Sequence, residues 1–392
     1  MKAFKYRIYP TKEQKNFLTQ QFGAVRFVYN HYLNKRKEEY LLNSNKVINF
    51  NEDSKDLTAL KAKDGYDWLF NVNSQTLQAA LKNLDAAYIK FFKKQNAFPK
   101  FHKRNNRQSI KISQNFKVSC GKLSVPKLKS KIKIKLHQLL PVDQTCLFIS
   151  KNTSEEYYAT FLCEVEIQEL PKNDFSIGID LGLKDLAITS DGEVFQNHRF
   201  YRRVEKKLKF HQRKLSRKKK GSNNRNKQRI KVARLYQHLS NKRSDQLHKI
   251  THQLVNENQV IVAESLSVKN MIKNHKLAKS IQDASWGEFT RQLKYKSKWY
   301  GRTFYQIDRF FPSSKTCNNC LFVVDELPLD IREWDCPCCK QHLDRDVNAA
   351  INIRGKGLKD LGLWNVIPQQ KLGEASSIEE FMTQEAPAFK QW

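Results

Sequence analysis

A chain of 392 residues with 71 Lys+Arg against 39 Asp+Glu, formally +32, is far more basic than solubility requires. That excess points to a polyanionic partner, chiefly nucleic acid, although a ribosomal-type or merely basic surface protein would share it. No apolar run reaches membrane-spanning length, and Met-Lys-Ala-Phe-Lys-Tyr-Arg lacks the apolar core of a signal peptide, so a soluble, intracellular protein of two or three domains is expected.

Residues 2–9 alternate as a short strand, and Pro10-Thr11 opens helical spacing. Phe17, Leu18, Phe22, Val25, Val28, Tyr29 and Tyr32 predict two helices over 12–41, broken near Gly23. Residues 43–73 read as polar and irregular. Leu77, Leu81, Leu84, Tyr88 and Phe91 then mark another helix, ending before Pro99. Off these stripes, Arg26, Arg36, Lys93, Lys100, Lys103, Arg104 and Arg107 offer phosphate contacts, though a solvated face is the ordinary role of any single one of them. From Ile110 to Glu169 short strands alternate with turns, predicting a small antiparallel barrel, and Pro171–Asp174 reads as a linker.

Ile177, Ile179 and Leu181 alternate with Gly178, Asp180 and Gly182, the period of a strand. Bare glycines on either side of Asp180 predict a floor open to a metal ion or phosphate. Leu183–Thr189 gives a second strand, and Ser190-Asp191-Gly192 turns into a third. Residues 199–243 hold 19 Lys+Arg and a single acid, Glu205, on two helical arms broken at Gly221–Asn224. Arg213, Lys218, Lys219 and Arg229 are the phosphate-contact candidates there. Val260–Ala263 is a buried parallel strand running into Glu264. A helix around Ser285–Tyr300, a strand at Thr303–Ile307 and a closing helix at Arg345–Arg354 complete the pattern.

Cys317-x-x-Cys320, a gap of 15 and Cys336-x-x-Cys339 fit a closed, four-thiolate structural zinc site. Cys338 offers a competing thiol, and Leu321 and Lys340 stand where glycines usually follow such knuckles. Phosphodiester hydrolysis needs carboxylates to hold Mg²⁺. Asp180, Glu264 and Asp346 are the three that this order of elements could gather. Asp344 is assigned to capping the last helix and Asp346, inside its first turn, to the metal.

Gly178-Ile-Asp180-Leu-Gly182-Leu, Val262-Ala-Glu264-Ser-Leu, Ser314-Lys-Thr-Cys317, Cys336-Pro-x-Cys339 and Asp344-Arg-Asp346-x-Asn348-Ala-Ala-x-Asn352 resemble the OrfB/TnpB proteins of insertion sequences, compact relatives of type V CRISPR effectors. Tyr6-Arg7-Ile8-Tyr9-Pro10-Thr11 and Phe98-Pro99-Lys100-Phe101 are similar too, and the likeness spans about 1–355. The resemblance implies an α/β chain with an RNase H-like (RuvC) nuclease domain and an inserted zinc ribbon. A helical recognition lobe and a small wedge β-barrel precede them. The expected divisions are 1–10 with 110–171 (wedge), 11–109 (recognition), 172–312 and 342–355 (nuclease), 313–341 (ribbon) and 356–392 (tail). It further implies an RNA-guided DNA endonuclease with catalytic Mg²⁺ at Asp180, Glu264 and Asp346 and structural Zn²⁺ on the four cysteines. The expected partners are a guide RNA from the transposon end, double-stranded target DNA and the element's transposase, at the nucleoid of a prokaryotic cytoplasm. A transposase using the same triad and a catalytically silent guided DNA-binding protein are the alternatives.

Overall fold

Phe4, Tyr6 and Ile8 are buried while Lys5 is not, so β1 (Lys2–Tyr9) has one dry face. The structure, a computed structural model, describes residues 1–42, 49–105, 108–328 and 330–364. Arg107 and the tail from 365 lie outside these residues. Two compact units emerge: Met1–Glu166 with Lys218–Arg234, and Ile167–Arg217 with the residues from Leu235 onward.

In the first unit, β1 is followed by α1 (Lys12–Leu42), α2 (Phe50–Lys61), a 3-10 turn (Asp67–Asn71) and α3 (Ser74–Phe92). Next come β2 (Gln108–Ile112), β3 (Lys117–Ser119), β4 (Lys122–Ser124), β5 (Ile132–Lys135), β6 (Gln144–Lys151) and β7 (Tyr157–Cys163). The strands form an antiparallel sheet in the order β2-β6-β7-β1-β5-β4-β3. Its edges, β2 and β3, do not pair, so the sheet is a half-barrel and not the closed barrel expected. Leu18 and Phe22 of α1 pack into its core with Tyr6, Leu147, Ile149 and Phe161. A helix thus covers apolar surface that ring closure would otherwise enclose.

α1 is one helix, not two. Its early residues serve the sheet core, whereas Val28, Tyr32 and Leu33 pack with Leu57, Leu60, Leu77, Leu81 and Leu84 of α2 and α3. Anchored in both cores, α1 tolerates Gly23 at a cost of about 1 kcal/mol. The segment expected to be irregular holds α2, whose N-cap Asn49 accepts from the Asn51 and Glu52 amides at 2.9 and 3.2 Å. Arg36 is no surface contact: it is buried against Asp53 at 2.7 Å and Asp85 at 3.3 Å.

The second unit opens with β8 (Ser176–Asp180), β9 (Asp185–Thr189) and β10 (Val194–Gln196). The basic arms are α4 (Phe200–Ser216) and α5 (Asn223–Glu257). The first residues of α5, through Arg234, group with the first unit, although the sequence divisions put them in the nuclease part. β11 (Val260–Ala263), α6 (Val268–Met271), α7 (Ala278–Ala284), α8 (Trp286–Trp299) and β12 (Thr303–Gln306) follow. A hairpin of β13 (Glu333–Asp335) and β14 (His342–Asp344) leads into α9 (Arg345–Asp360), which runs past residue 355. The main sheet has the order β10-β9-β8-β11-β12, with β8, β11 and β12 parallel.

Strand alternation divides this sheet's faces. Ile177, Ile179, Ile261 and Ala263 pack with Leu254, Phe289 and Leu293, while Val260 and Val262 pack with Ile353 and Leu358 of α9. Gly178 lies on the α9 side, and a Cβ there would sit 2.0 Å from the Ala350 carbonyl oxygen and 2.7 Å from the Arg354 nitrogen. The bare face read as an open floor is therefore filled by a helix backbone. At Gly182 a Cβ would meet the Asp185 carbonyl oxygen at 2.9 Å, so this glycine serves the turn between β8 and β9. Gly178→Ala should therefore destabilise the protein by about 3 kcal/mol or more, because neither backbone can yield cheaply. Gly287→Ala, with nothing within 4 Å of its Cβ, is the control and should be neutral or stabilising. Thermal and denaturant midpoints of the two variants check this.

Candidate active site

Register and alternation bring two of the carboxylates together. Ile179 pairs with Ala263 across parallel strands, so the next residues, Asp180 and Glu264, leave the sheet as neighbours. Two residues after Gly178 and Val262, both turn toward α9. The Leu181 amide donates to Glu264 Oε1 at 3.0 Å, which orients the second carboxylate. α9 delivers the third. Asp344 is its N-cap, accepting from the amides of Asp346 and Val347 at 3.0 and 2.8 Å, and Asp346 sits in the first turn, one turn before Ala350 and its contact with Gly178.

The electrostatics follow from crowding and burial. Burial, then the charge of Asp346, pushes Asp180 up to about 7, with Arg345 and Arg332 opposing. Burial, then Asp180, pushes Glu264 up to about 8, with the Leu181 amide opposing. Asp180 and Glu264 are thus each disfavoured as anions by burial and a neighbouring acid, and a hard divalent cation is the species that would relieve both. Among the described residues, only the cysteine set below has three or more ligand atoms mutually within 4.8 Å. The three carboxylates are more widely spread. Asp346 is also paired with Arg332, whose Nη1 donates to its two oxygens at 3.0 and 2.9 Å.

Arg332 is the residue that sequence reading missed. It precedes β13, and its carbonyl accepts from the Arg345 amide at 2.7 Å, which ties it to the start of α9. Its position just before the second cysteine pair was the only available hint, and nothing in the spacing paired it with Asp346.

The four cysteines converge. Cys317 and Cys339 sulfurs are 3.7 Å apart and Cys320 and Cys336 3.5 Å, close to the roughly 3.8 Å edge of a tetrahedron with 2.3 Å Zn–S bonds. Burial pushes Cys317 up to about 12, while the Gln341 amide draws Cys339 down to about 6. Cys338 is exposed and outside the set. Leu321 and Lys340 have φ of +60° and +61°, and their amides donate to the Cys317 and Cys336 carbonyls at 3.0 and 2.9 Å. Both turns therefore keep knuckle geometry without glycine, at a backbone cost.

The basic candidates are dispersed. Arg26 and Lys103 line one cavity of about 370 Å³, beside a stack of Tyr29 and His102 whose centroids are 3.8 Å apart. Arg104 and Arg229 line another of about 560 Å³, where Arg229 also pairs with Glu155 at 3.5 Å. Lys93, Lys100, Arg213 and Lys219 are exposed and Lys218 half-buried.

A Streptomyces pristinaespiralis protein, provisionally named an RNA-guided DNA endonuclease, is 40% identical over 361 residues, 91% of this chain and 89% of its own. The chain belongs to the TnpB (OrfB) family. An Escherichia coli (strain K12) protein, provisionally named RNA-guided DNA endonuclease InsQ, is 32% identical over 91% of this chain and 92% of its own. The family profile of OrfB from IS605 elements, described as "Probable transposase", matches residues 160–275, which contain Asp180 and Glu264. A "Cas12f1-like, TNB domain" profile matches 286–353, which contain Asp346, Arg332 and the four cysteines. A profile described as "Helix-turn-helix domain" matches 1–44, where the described residues form one strand and one helix, β1 and α1. The fold is similar to Cas12f1 in its complex with sgRNA and target DNA, with a TM-score of 0.54, 13% identity and coverage of 88% and 83%. No helix among the described residues is long and apolar enough to cross a membrane.

Raised acids bind protons more tightly in the folded state, so the magnesium-free protein should lose stability as pH climbs from about 4 through 8. In magnesium-free buffer at pH 8, Asp180→Asn or Glu264→Gln should raise the melting temperature by a few degrees, and the gain should shrink at pH 5. Thermal scans with and without Mg²⁺ check this, with Mg²⁺ stabilising the parent chain more than either variant. Purified protein should also carry about one zinc per chain, lost on Cys317→Ser together with thermal stability. Leu321→Gly and Lys340→Gly should keep the metal and raise stability by about 0.5 kcal/mol each, as read by elemental analysis and melting.

Proposed function

We propose that this chain is an RNA-guided DNA endonuclease of an IS605-type element that hydrolyses DNA phosphodiesters at Asp180, Glu264 and Asp346. The observation that carries the chemistry is the approach of these carboxylates from β8, β11 and α9 at one end of a buried sheet, two of them far above their usual range. The sheet order, three antiparallel strands extended by two parallel ones and closed by a helix, is that of RNase H-like folds and supports the RuvC-type reading.

Magnesium, when bound, supplies the positive charge that stabilises the attacking and leaving oxygens of an in-line displacement. Asp180 and Glu264 would hold it from the strand ends, and Asp346 from the first turn of α9. Arg332 would then share Asp346 with the cation, leaving its other donors for a phosphate oxygen. Zinc on Cys317, Cys320, Cys336 and Cys339 keeps the ribbon folded, and with it the backbone that presents Arg332. The half-barrel is the wedge and α1–α3 the recognition lobe. Their basic residues and those of α4 and α5 hold the transposon-end RNA and target DNA by phosphate contacts, while guide pairing reads the sequence and protein reads a short adjacent motif. The nucleoid is its place of work, and the element's transposase is a functional partner.

Asp180→Ala, Glu264→Ala or Asp346→Ala should each lower cleavage by about a thousandfold or more and leave RNA and target binding within about twofold. The protein should purify with RNA. Stripped by high salt, it should keep salt-sensitive, sequence-blind DNA binding but lose site-specific cutting until a matching guide is restored. Cleavage and filter-binding assays on both preparations read this out. Specific cutting, or strand joining, by RNA-free protein would overturn the guided reading in favour of a transposase.

A further inference from the structure

The loop after β12 leaves the sheet at the same end as the candidate carboxylates. β12 is parallel to β11, the Ile307 amide donates to the Ala263 carbonyl at 3.1 Å, and Gln306 Nε2 donates to the Glu264 carbonyl at 3.3 Å. The loop is pinned on both sides of its tip. Ile307 and Phe311 pack with Ile353 and Leu358, and Asn352 Nδ2 donates to the Ser313 carbonyl at 2.9 Å. Between these anchors Asp308 Oδ1 accepts from the Phe310 amide at 2.7 Å, which fixes the turn that presents Phe310. Phe310 is 79% exposed, and the Arg309 guanidinium lies 4.6 Å from its ring centroid.

A large aromatic ring held in water by a rigid loop, beside a cation and at the carboxylate end of the sheet, has no role in packing. Its chemistry suits an unpaired nucleobase, whose π-face it can stack and whose phosphate the guanidinium can meet. Resting on the nuclease reading above, we propose that Phe310, backed by Arg309, is a stacking platform that seats a base of the single DNA strand entering the site and so positions the bond to be cut.

The test uses the full chain and two readouts. In the RNA-free protein, single-stranded DNA carrying 2-aminopurine should lose fluorescence on binding. Phe310→Ala and Phe310→Leu should abolish that quenching, and Phe310→Tyr and Phe310→Trp should retain it. In the RNA-loaded protein, Phe310→Ala should slow single-turnover cutting by about tenfold to a hundredfold with target binding unchanged within about twofold, and Phe310→Tyr should restore the rate. Quenching or cutting by Phe310→Ala at the parent level, or full rescue by Phe310→Leu, would overturn the platform. Should the parent chain fail to cut with its guide, the guided-nuclease reading falls, and the quenching series still decides whether Phe310 stacks a base.

Discussion

The packing of α9 against Gly178 is the constraint on which the candidate site depends. A strand and a helix normally keep a side-chain layer between them, and here the backbones meet instead. Gly357, on the helix side, makes room for a strand side chain instead: a Cβ there would come within 2.3 Å of the Val262 side chain on β11. With the helix seated this deeply, its first turn stands above the ends of β8 and β11, and a carboxylate there joins two from the strands. A side chain at Gly178 would lift α9 and separate Asp346 from Asp180 without touching either.

The same closeness makes the site electrostatically costly. Asp180 sits in the fields of burial and Asp346, and Glu264 in those of burial and Asp180, so the fold raises both acids. Stability alone would favour neutral residues here, and the cation proposed above is what would offset the cost of placing carboxylates at both positions. Arg332 offsets part of that cost from the ribbon side. This makes the cysteine cluster more than a remote staple, since the hairpin that supplies two thiols follows directly on the arginine that holds Asp346.

Basic residues that look alike in sequence do different work. Arg36 is consumed by Asp53 and Asp85 inside the helical lobe, and Arg229 leans on Glu155 and the Thr153 carbonyl. Arg104 and Lys103, by contrast, are exposed beside cavities. The 71 basic side chains therefore overstate the cations free to meet phosphates, whereas the net +32 already subtracts the acids that pair with them.

Much of the second unit was legible in one dimension. Alternation around Asp180, the apolar run before Glu264 and the cap at Asp344 are local patterns, and local patterns are what a sequence displays. So was the four-cysteine cluster, because thiol spacing is set by two short turns. The first unit was less legible. α1 reads as broken at Gly23 because glycine is a poor helix former, and only its anchorage in two cores keeps it whole. α2 has two core leucines, Leu57 and Leu60, too few to show a period. Whether the sheet closes into a barrel depends on a helix distant in sequence. By itself the sequence determined the elements around the candidate site, the choice of three candidate acids and the four-cysteine set, since propensity, periodicity and spacing act over a few residues. Tertiary structure alone decided that Gly178 admits a helix and not a ligand, that Arg332 reaches Asp346, and that Phe310 stands exposed on the loop after β12, because each depends on chain segments brought together only by packing.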